Sequence, residues 1–583
     1  MKYIKISIVI LIVSFISIFA YKLTTNNSNN KISLTKEQMK EMLSYTIDGN
    51  KTSSMPTKGS GYKVKSITCK SGSILSWDND NWLLEVEKIE SEDLCNIDFT
   101  TGTGSYTVTA VPSIAGSLDS TSKTTTENGT VTFYTDAIID SVSGCTNEIS
   151  DGKVIVKNIT SNTTCNINVS YMKLYDKLLA DKSTRLTRTS FSSVLTTNNT
   201  NTLYTSTENG TTVYYFAGNA TDNWVKFGKQ KRVICTYNGQ QVSIGIYSSA
   251  IEIINMVNLI ENESECTGTN ICVTTGFGPV IGVTQSECSD TNGQWITATP
   301  TYGGIEYLDI YWRIIRTNSD RSVRLLYHGT STTATDAYIG RPGFNEKYND
   351  PMYVGYMYGT SGSLVNNRTN TNNSTIKTRI DNWFANNMIS YRKYLSGTAV
   401  YCNDRSNPAG GYNTGKTSFN YGARTRLDTY KTPTYDCTDT NDKFTVDTST
   451  GNGKLTYPIA LMTADEVSFA GGLYANYNAN AWYFRNAKEG TLTTSSSSTD
   501  ASYSSTGSTY WWLLSPFYWF GSSARASVFY VGGSSLPGFL GDYFVDGTRG
   551  VRPAVSLKSC VKTSGGDGSA GTPYTIEEST SGC

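Results

Sequence analysis

The twelve cysteines of this 583-residue chain fall into sequence-local sets, and this arrangement restricts the possible folds more than any other feature. Metal clusters need closely spaced cysteines, and no C-x-x-C motif occurs, so we interpret the cysteines as disulfides of an exported protein. Closing each such loop contributes roughly 3 kcal/mol of stability in the chain-entropy model. The pairing among Cys235, Cys266, Cys272 and Cys288 stays open at this point. The other predicted pairs are Cys69–Cys95, Cys145–Cys165, Cys402–Cys437 and Cys560–Cys583.

The N-terminus carries an apolar run, from Ile6 to Tyr21, that follows two lysines. This pattern is typical of a secretory signal or of a single membrane anchor. No A-x-A-like cleavage site follows the run, so an uncleaved anchor over residues 1–24 is favoured, and a secreted protein is the alternative. The lysines would remain in the cytoplasm, which places the rest of the chain on the extracellular face of the membrane. Residues 25–60, polar and then charged, are expected to form a stalk.

The charge balance and the histidine content argue against several classes of function. The chain has 49 basic and 49 acidic residues and no evident basic patch, so nucleic acid is not an expected partner. His328 is the one histidine, which excludes zinc sites built on two or three histidines of one chain. No Ser or Cys partner is visible for it, so we expect a hydrogen-bonded turn residue. We predict no metal site, no cofactor and no catalytic residue.

Abundant Tyr, Thr, Ser, Asn and Gly predict a β-rich α+β fold with long polar loops. Short alternating strands separated by turn residues predict two small antiparallel β modules, the first ending in CNIDFT and the second in CNINVS. Because both modules are small and lack clustered polar chemistry, we interpret them as spacers. The predicted divisions after the stalk are 61–101 for the first module, 102–171 for the second, 172–204 for a connector, 205–560 for a large domain with a disulfide-rich insertion at 230–304, and 561–583 for a tail.

Several segments of the large domain have clear local patterns. A hairpin is predicted from strands 307–316 and 322–327, with a turn of Asn, Ser and Asp between them. The apolar residues of STIKTRIDNWFANNM recur at helical spacing, and Thr463 and Glu466 form a capping box that begins a second helix. The sequence GGYNTGKT at 410–417 satisfies the phosphate-loop pattern. No apolar strand precedes it and no convincing helix follows it, so we interpret it as an ordinary loop.

Five motifs occur in a particular order within residues 205–560. They are YWRIIR (311–316), IDNWF (380–384), LMTADEVSFAGG (461–472), WWLLSP (511–516) and GVRPAVSLKS (550–559). Together they resemble the formylglycine-generating-enzyme-like domains of bacterial surface proteins, which belong to the sulfatase-modifying-factor superfamily and are related to C-type lectins. The resemblance implies a C-type-lectin-like domain at these residues. Enzymes of the superfamily use a reactive cysteine pair whose motif Cys402 and Cys437 do not match, so catalytic activity is not implied.

The last strands have a narrower resemblance, to the target proteins of diversity-generating retroelements. In those proteins, reverse transcription mutates adenines in Asn codons of a template that is copied into the C-terminal region. Each of the implied site residues can be encoded by a mutated Asn codon, whereas Trp519 cannot. The resemblance implies a variable ligand-binding surface, and the alternative is a set of ordinary loop residues in a protein with a fixed surface. The implied site residues are Phe517, Tyr518, Phe520, Ser523, Phe539, Gly541, Asp542, Tyr543, Phe544, Asp546, Gly547 and Arg549.

The aromatic-rich stretch YWWLLSPFYWFGSSARASVFY, residues 510–530, is expected to divide into two features. Trp511–Leu514 would form a buried strand ended by Ser515 and Pro516, and Phe517 would begin an outward-facing loop. Exposed rings supply contact area at low entropy cost, so they predict an adhesin or receptor for a protein or glycan on another cell, phage or host surface. The alternatives are a surface enzyme that acts on glycan or peptide, and a structural envelope protein in which these aromatics are buried.

Overall fold

The computed structural model describes most of the chain from Glu41 to Cys583. The described range excludes residues 80–81, 91, 103, 198, 245–265, 267–268, 275–277, 282, 291, 411, 413–414, 416, 477–480, 489–500 and 580–581. The chain divides into two units, Met1–Tyr171 and Met172–Cys583. The predicted membrane anchor, residues 1–24, and the first part of the predicted stalk lie outside the described residues. Within the described part of the chain, no helix has both the length and the apolar character needed to cross a membrane.

The first β module lies at the start of the described chain. Its strands are β1 (Leu43–Ile47), β2 (Asn50–Lys51), β3 (Tyr62–Cys69), β4 (Ile74–Asp78), β5 (Leu83–Lys88) and β6 (Cys95–Thr101). The antiparallel pair β3–β6 places Cys69 opposite Cys95, and the predicted disulfide joins them. β1 runs parallel to β6, and its alternating Leu43, Tyr45 and Ile47 pack against the module core. The module is therefore not purely antiparallel, and the prediction of a stalk up to residue 60 is wrong because this segment has an apolar face.

The second β module follows directly. Its strands are β7 (Ser105–Pro112), β8 (Ser122–Thr126), β9 (Gly129–Tyr134), β10 (Ile138–Ser143), β11 (Asn147–Ser150), β12 (Lys153–Ile159) and β13 (Thr163–Ser170). The sheets β10-β13-β7-β8 and β11-β12-β9 bury a shared core that includes Val108, Phe133 and Ile167. Cys165 lies in this core and is bonded to Cys145, as predicted. β7 and β13 run parallel, so this module is also a mixed rather than an antiparallel structure.

The second unit contains the remaining strands. Those before residue 330 are β14 (Thr184–Thr187), β15 (Thr202–Glu208), β16 (Thr211–Tyr215), β17 (Trp224–Tyr237), β18 (Gln240–Gln241), β19 (Ser243–Ile244), β20 (Ile271–Thr274), β21 (Gly278–Ile281), β22 (Gln294–Ile296), β23 (Thr301–Thr317) and β24 (Val323–Tyr327). The later ones are β25 (Met357–Tyr358), β26 (Asn372–Asn373), β27 (Tyr401–Cys402), β28 (Phe419–Asn420), β29 (Lys443–Phe444), β30 (Ile459–Leu461), β31 (Trp511–Phe520), β32 (Arg525–Val531), β33 (Leu540–Phe544), β34 (Pro553–Leu557), β35 (Thr563–Gly565) and β36 (Tyr574–Ile576).

The main sheet of the second unit is built on the long antiparallel pair β17–β23. Its order is β14-β15-β16-β23-β17-β36-β35, with β24, β34 and β30 continuing from β23. The predicted hairpin is confirmed, since Trp312 of β23 lies opposite Tyr327 of β24. The predicted connector, 172–204, supplies β14, and the predicted tail, 561–583, supplies β35 and β36. The boundaries 205 and 560 are therefore too narrow, because the flanking segments carry buried apolar side chains such as that of Tyr574.

The described residues of the second unit also form helices, which lie between the strands in sequence. The α-helices are Leu174–Asp181, Gln285–Asp290, Leu364–Asn367, Thr375–Asn387, Gly422–Arg424 and Ala464–Ala470; the 3-10 helices are Pro351–Val354, Ile389–Tyr394, Thr440–Asp442 and Ala501–Tyr503; and Thr425–Tyr430 is a π-helix. Both predicted helices are confirmed. The first, Thr375–Asn387, begins after the N-cap Ser374 and buries its apolar face. The second has the predicted capping box of Thr463 and Glu466 and ends at Gly471, whose φ is 119°.

Disulfides hold the loops of the second unit. The predicted pairs Cys402–Cys437 and Cys560–Cys583 are confirmed. The four cysteines of the insertion pair as Cys235–Cys266 and Cys272–Cys288, which settles the pairing that the sequence left open. The insertion carries its own small sheet, of strand order β19-β21-β20-β22. The Cys272–Cys288 bridge lies in a small buried cluster of the insertion. The fold is thus β-rich and disulfide-bridged.

Candidate functional site

The aromatic-rich C-terminal segment forms a four-stranded sheet of order β28-β31-β32-β33, called here the site sheet. β31 continues through Pro516 to Phe520, so the prediction that Ser515 and Pro516 end the strand is wrong. Pro516 lies opposite Val528, and the register shifts on both sides of this pair. A β-bulge accommodates proline because the ladder hydrogen bond that proline cannot donate is already interrupted there. The residues after Pro516 are therefore held on a strand rather than on a loop.

Two of the predicted ligand-facing residues are buried. Phe517 is 2% exposed, and its ring packs against Phe529 at 4.9 Å and Tyr474 at 5.1 Å between centroids. Gly541 is also buried, and a Cβ atom built on it would lie 2.2 Å from the ring of Phe539. The expectation that these two positions face a ligand is wrong, because the bulge turns Phe517 inward and the Phe539 ring fills the space above Gly541.

A first group of partly exposed rings lies on one face of the site sheet, called here the Tyr518 face. Tyr518 lies opposite Ser527, which lies opposite Phe544, so the three side chains share this face. Phe520 bridges the two aromatic strands, with its ring centroid 4.5 Å from that of Tyr518 and 5.3 Å from that of Phe544. Edge-to-face geometry of this kind favours a fixed arrangement of the rings.

Two arginines stack on the Tyr518 face, and sequence reasoning missed both. The guanidinium of Arg525 lies 3.9 Å from the centroid of Phe544 and 5.2 Å from that of Tyr348, and it donates to Asp546 at 2.7 and 2.8 Å. The guanidinium of Arg424 lies 4.3 Å from the Tyr518 centroid. Arg525 lies two residues after the predicted site residue Ser523 in the sequence, so it could have been included in the predicted set. Arg424 is distant in sequence, and no local pattern indicates its position.

A second group lies on the opposite face of the site sheet, called here the Tyr543 face. Tyr543 is 41% exposed and supports the guanidinium of Arg549 at 3.8 Å from its ring centroid. Tyr510 and Tyr530 stack on each other at 5.3 Å and lie 5.1 and 5.4 Å from the same guanidinium. Phe539 packs against Tyr530 at 6.0 Å. The predicted site residues are thus divided between two faces, because neighbouring strand residues point in opposite directions.

The remaining predicted residues lie around these faces. Ser523 is exposed in the turn between β31 and β32. Gly547 is half-buried, and a Cβ atom there would lie 2.3 Å from the ring of Tyr543. Asp542 is half-buried near Tyr474, whose hydroxyl lies 3.5 Å from the carboxylate. Burial raises the pKa of Asp542 to about 6, against the opposing effect of a hydrogen bond from Ser527.

His328, predicted as a hydrogen-bonded turn residue, follows strand β24 and is fully buried. Its ring lies 4.4 Å from that of Trp224, and its Nδ1 lies 3.4 Å from a guanidinium nitrogen of Arg552. Burial and the positive charges of Arg552 and Arg313 hold the pKa of His328 well below its usual range. In the described part of the chain, no Ser or Cys side chain forms a hydrogen bond with it, so a nucleophile–histidine arrangement is not present there.

The carboxylates of the capping-box helix are paired with arginines. Glu466 is buried and accepts from Arg316 at 2.9 Å and Arg324 at 2.7 Å, and Asp465 accepts from Arg426 at 2.9 Å. The cavity beside them measures only about 20 Å³. A cavity of this size holds about one water molecule, so this cluster stabilises the fold and does not receive a sugar ring.

The phosphate-loop-like sequence lies only partly within the described residues. Gly410, Tyr412, Gly415 and Thr417 are described, and the ring of Tyr412 packs against that of Phe419 at 5.1 Å. A turn leads into Gly410, and the short strand β28 follows Thr417, so the described residues do not form the strand–loop–helix that a phosphate loop requires.

The fold defines a class of β-rich, disulfide-bridged protein. Its second unit presents stacked aromatic and arginine side chains on one small sheet. Residues 426–559 match the model of a family described as a domain of unknown function, DUF6273. The matched segment contains the capping-box helix and strands β30 to β34, and therefore most of the site sheet. No curated protein and no solved structure matches the chain.

Proposed function

We propose that this chain is a cell-surface adhesin or receptor that binds a protein or a glycan through the site sheet. The observation that carries the proposal is the pair of aromatic faces, on which Tyr518, Phe520, Tyr543 and Phe544 are accessible and guanidiniums stack on the rings. Tyr and Arg are enriched among the residues that carry most of the binding energy at interfaces, and Phe is enriched at interface cores. The structural-envelope alternative is favoured if the aromatics of residues 517–544 are buried; Phe517 and Trp519 are buried, whereas these four rings are partly exposed.

The rings are held in place before any ligand arrives. Tyr518, Phe520 and Phe544 contact one another, and the strands that carry them are hydrogen-bonded neighbours of β32. A surface whose side chains are already ordered loses little conformational entropy on binding, so more of the contact energy appears as affinity. This supports recognition rather than catalysis as the role of the sheet.

The wider assignment rests on the motif series and the disulfides. The motifs of residues 205–560 resemble C-type-lectin-related, formylglycine-generating-enzyme-like domains, and such a head would present its ligand site on its C-terminal strands. Six disulfides are typical of an oxidising, extracellular compartment. In this proposal the apolar N-terminal run anchors the protein on the extracellular face of the membrane and the two β modules act as spacers.

The proposal includes diversification of the accessible positions. Tyr518, Phe520, Tyr543, Phe544 and Arg549 would vary, while the buried Trp519, which no mutated Asn codon can encode, would remain constant. The test is the DNA beside the gene: a near-copy of the codons for 517–553 that carries Asn codons, next to a reverse transcriptase, is expected. Without such a copy, the protein has a fixed binding surface.

Binding itself is tested with the purified full-length protein, labelled and applied to arrays of glycans and to whole bacterial cells. Alanine at Tyr518 together with Phe520, and separately at Tyr543, should each reduce binding to the surface that wild type recognises. Tyr307→Ala is the matched control, because Tyr307 is 62% exposed on β23 of the main sheet. Undiminished binding by folded variants of both faces would contradict the proposal.

A further inference from the structure

A separate cavity of about 210 Å³ lies in the second unit, and it shares no lining residue with the aromatic faces. Its wall includes the ring of Trp224 and the side chains of Arg313, Arg485 and Lys488. Of the described residues that line it, three are cationic and none is acidic. A cavity with this lining has a positive potential that favours an anionic occupant.

Arg313 is the deepest of these cations. It is 2% exposed, and its guanidinium lies 4.1 Å from the centroid of Trp224. The group donates to the side-chain oxygen of Asn223 at 2.6 Å and to the backbone carbonyls of Ala220 and Arg485 at 2.8 and 3.1 Å. All three acceptors are neutral, so hydrogen bonds orient the guanidinium without cancelling its charge.

Several other buried arginines of this unit are paired with carboxylates. Arg316 is paired with Glu208 and Glu466, and Arg405 is paired with Asp442. The carboxylate that acts on Arg313, Asp222, is already paired with a buried lysine, Lys182, at 2.9 Å. A buried charge without a counter-ion is costly, because the low-dielectric interior does not replace the hydration that the charge has lost.

A second uncompensated cation adds to the positive potential at Arg313. Arg552 is buried and donates to the carbonyls of Tyr327 and Tyr483, again to neutral oxygens. Burial, and then the like charge of Arg552, hold the pKa of Arg313 well below its usual range. An anion bound against Arg313 would supply the missing negative charge. It would thereby offset both the burial of the guanidinium and the repulsion from Arg552.

We propose that this cavity binds a small oxyanion, a carboxylate or a phosphate group, against the guanidinium of Arg313. Arg485 and the exposed Lys488 line the same cavity and add positive charge toward solvent. The Trp224 ring and the neighbouring alanines form an apolar wall for a short carbon body. The volume of about 210 Å³ is below the roughly 300 Å³ at which pockets for drug-sized ligands begin, so the occupant is a small ion and not an oligosaccharide.

The test titrates the full-length protein with sodium acetate in one arm and sodium phosphate in the other. Calorimetry and thermal unfolding are read against sodium chloride at matched ionic strength. We expect saturable binding of at least one oxyanion, with a midpoint of unfolding that rises with its concentration. The arm that saturates distinguishes a carboxylate ligand from a phosphate ligand. A response that does not saturate in either arm, or that chloride reproduces, would overturn the site.

Variants locate the binding. Lys488→Glu should weaken the oxyanion affinity by about tenfold or more, because it places a negative charge on the cavity wall. Lys562→Glu makes the same change of charge at an exposed lysine outside the cavity and should leave the affinity unchanged. Arg313→Lys should abolish binding, because lysine lacks the planar fork of donors. If this buried variant does not fold, the comparison of the two lysine variants decides, and equal affinities there would refute the proposal.

Discussion

The guanidinium carbon of Arg525 lies 3.9 Å from the centroid of the Phe544 ring, and the strands that carry the two residues are hydrogen-bonded neighbours in the site sheet. Asp546 fixes the same guanidinium through contacts of 2.7 and 2.8 Å. The stack on Phe544 and the ion pair with Asp546 hold the Arg525 guanidinium from two directions. The half-exposed ring of Phe544 is therefore presented in a single orientation.

Arg525→Lys should reduce the free energy of unfolding of the second unit by about 1 kcal/mol, because the lysine ammonium cannot stack as a plane on the Phe544 ring while it contacts Asp546. Urea titration followed by tryptophan fluorescence measures the change. A double-mutant cycle with Phe544→Leu isolates the stacking contribution, and a coupling energy near zero would show that the contact does not stabilise the sheet.

Asp542 should make the stability of the second unit depend on pH. Its pKa in the folded protein is raised to about 6, chiefly by burial, whereas an unfolded Asp titrates near 3.9. Between these values the folded state holds the proton more tightly, so this group lowers stability as the pH rises from about 4 to about 6.

Asp542→Asn removes this titration while it keeps the size of the side chain. The fall in the free energy of unfolding between pH 4 and pH 7 should therefore be smaller in the variant by about 1–2 kcal/mol, after allowance for the partial exposure of the group. Urea unfolding at a series of pH values measures both curves. Parallel curves for wild type and variant would contradict the raised pKa.

Glu466→Gln should be among the most destabilising conservative changes in the chain. It removes the charge that two buried arginines, Arg316 and Arg324, share, and we expect a loss of about 3–5 kcal/mol. Glu306→Gln is the comparison, because its pair with Arg232 is partly exposed and contributes about 1 kcal/mol or less. Similar midpoints of thermal unfolding for the two variants would show that the buried network is not needed for stability.

Gly541→Ala should destabilise the second unit by about 1–3 kcal/mol, because the added methyl group meets the Phe539 ring. Gly571→Ala is the matched control, since a Cβ atom there meets nothing within 4 Å. Denaturant unfolding compares the two. A neutral effect at Gly541 would mean that the Phe539 ring moves aside easily, and position 541 would then return to the set of positions that can vary.

Opening the Cys402–Cys437 bridge, which closes a loop of 35 residues, should cost about 4 kcal/mol in the chain-entropy model. The variant with both cysteines changed to serine tests this by thermal unfolding. Its midpoint should be lower than that of wild type under oxidising conditions and equal to that of wild type after reduction of all bridges. A midpoint unchanged under oxidising conditions would show that this disulfide adds no stability.

The sequence predicted those parts of the fold that short-range patterns determine. Thr463 and Glu466 define a helix start within four residues, and the spacing of Ile376, Ile380 and Trp383 defines a helical face. The disulfides outside the insertion were predicted because their partners are close in sequence. The sequence does not determine the disulfide pairing in the insertion, because four neighbouring cysteines have several equivalent pairings.

Features that depend on distant contacts were missed. Leu43–Ile47 has the alternation of a strand, but its partner β6 lies well downstream, so the segment was interpreted as a stalk. Pro516 by itself predicts the end of a strand, because the bulge that accommodates it in β31 depends on the neighbouring strand β32. For the same reason the sequence did not indicate that Arg424 lies against Tyr518 or that the predicted site residues divide between two faces.

The parallel pairing of β36 with β17 has a consequence for the order in which the protein is made. Val225 of β17 lies opposite Tyr574 of β36, so strands from near the two ends of the second unit are neighbours. During synthesis, β17 emerges long before its partner β36, and nearly the whole domain is translated between the two strands. The pairing of β17 with β36 is therefore one of the last steps in building the main sheet, and a premature stop before Tyr574 leaves that edge of β17 without its native partner.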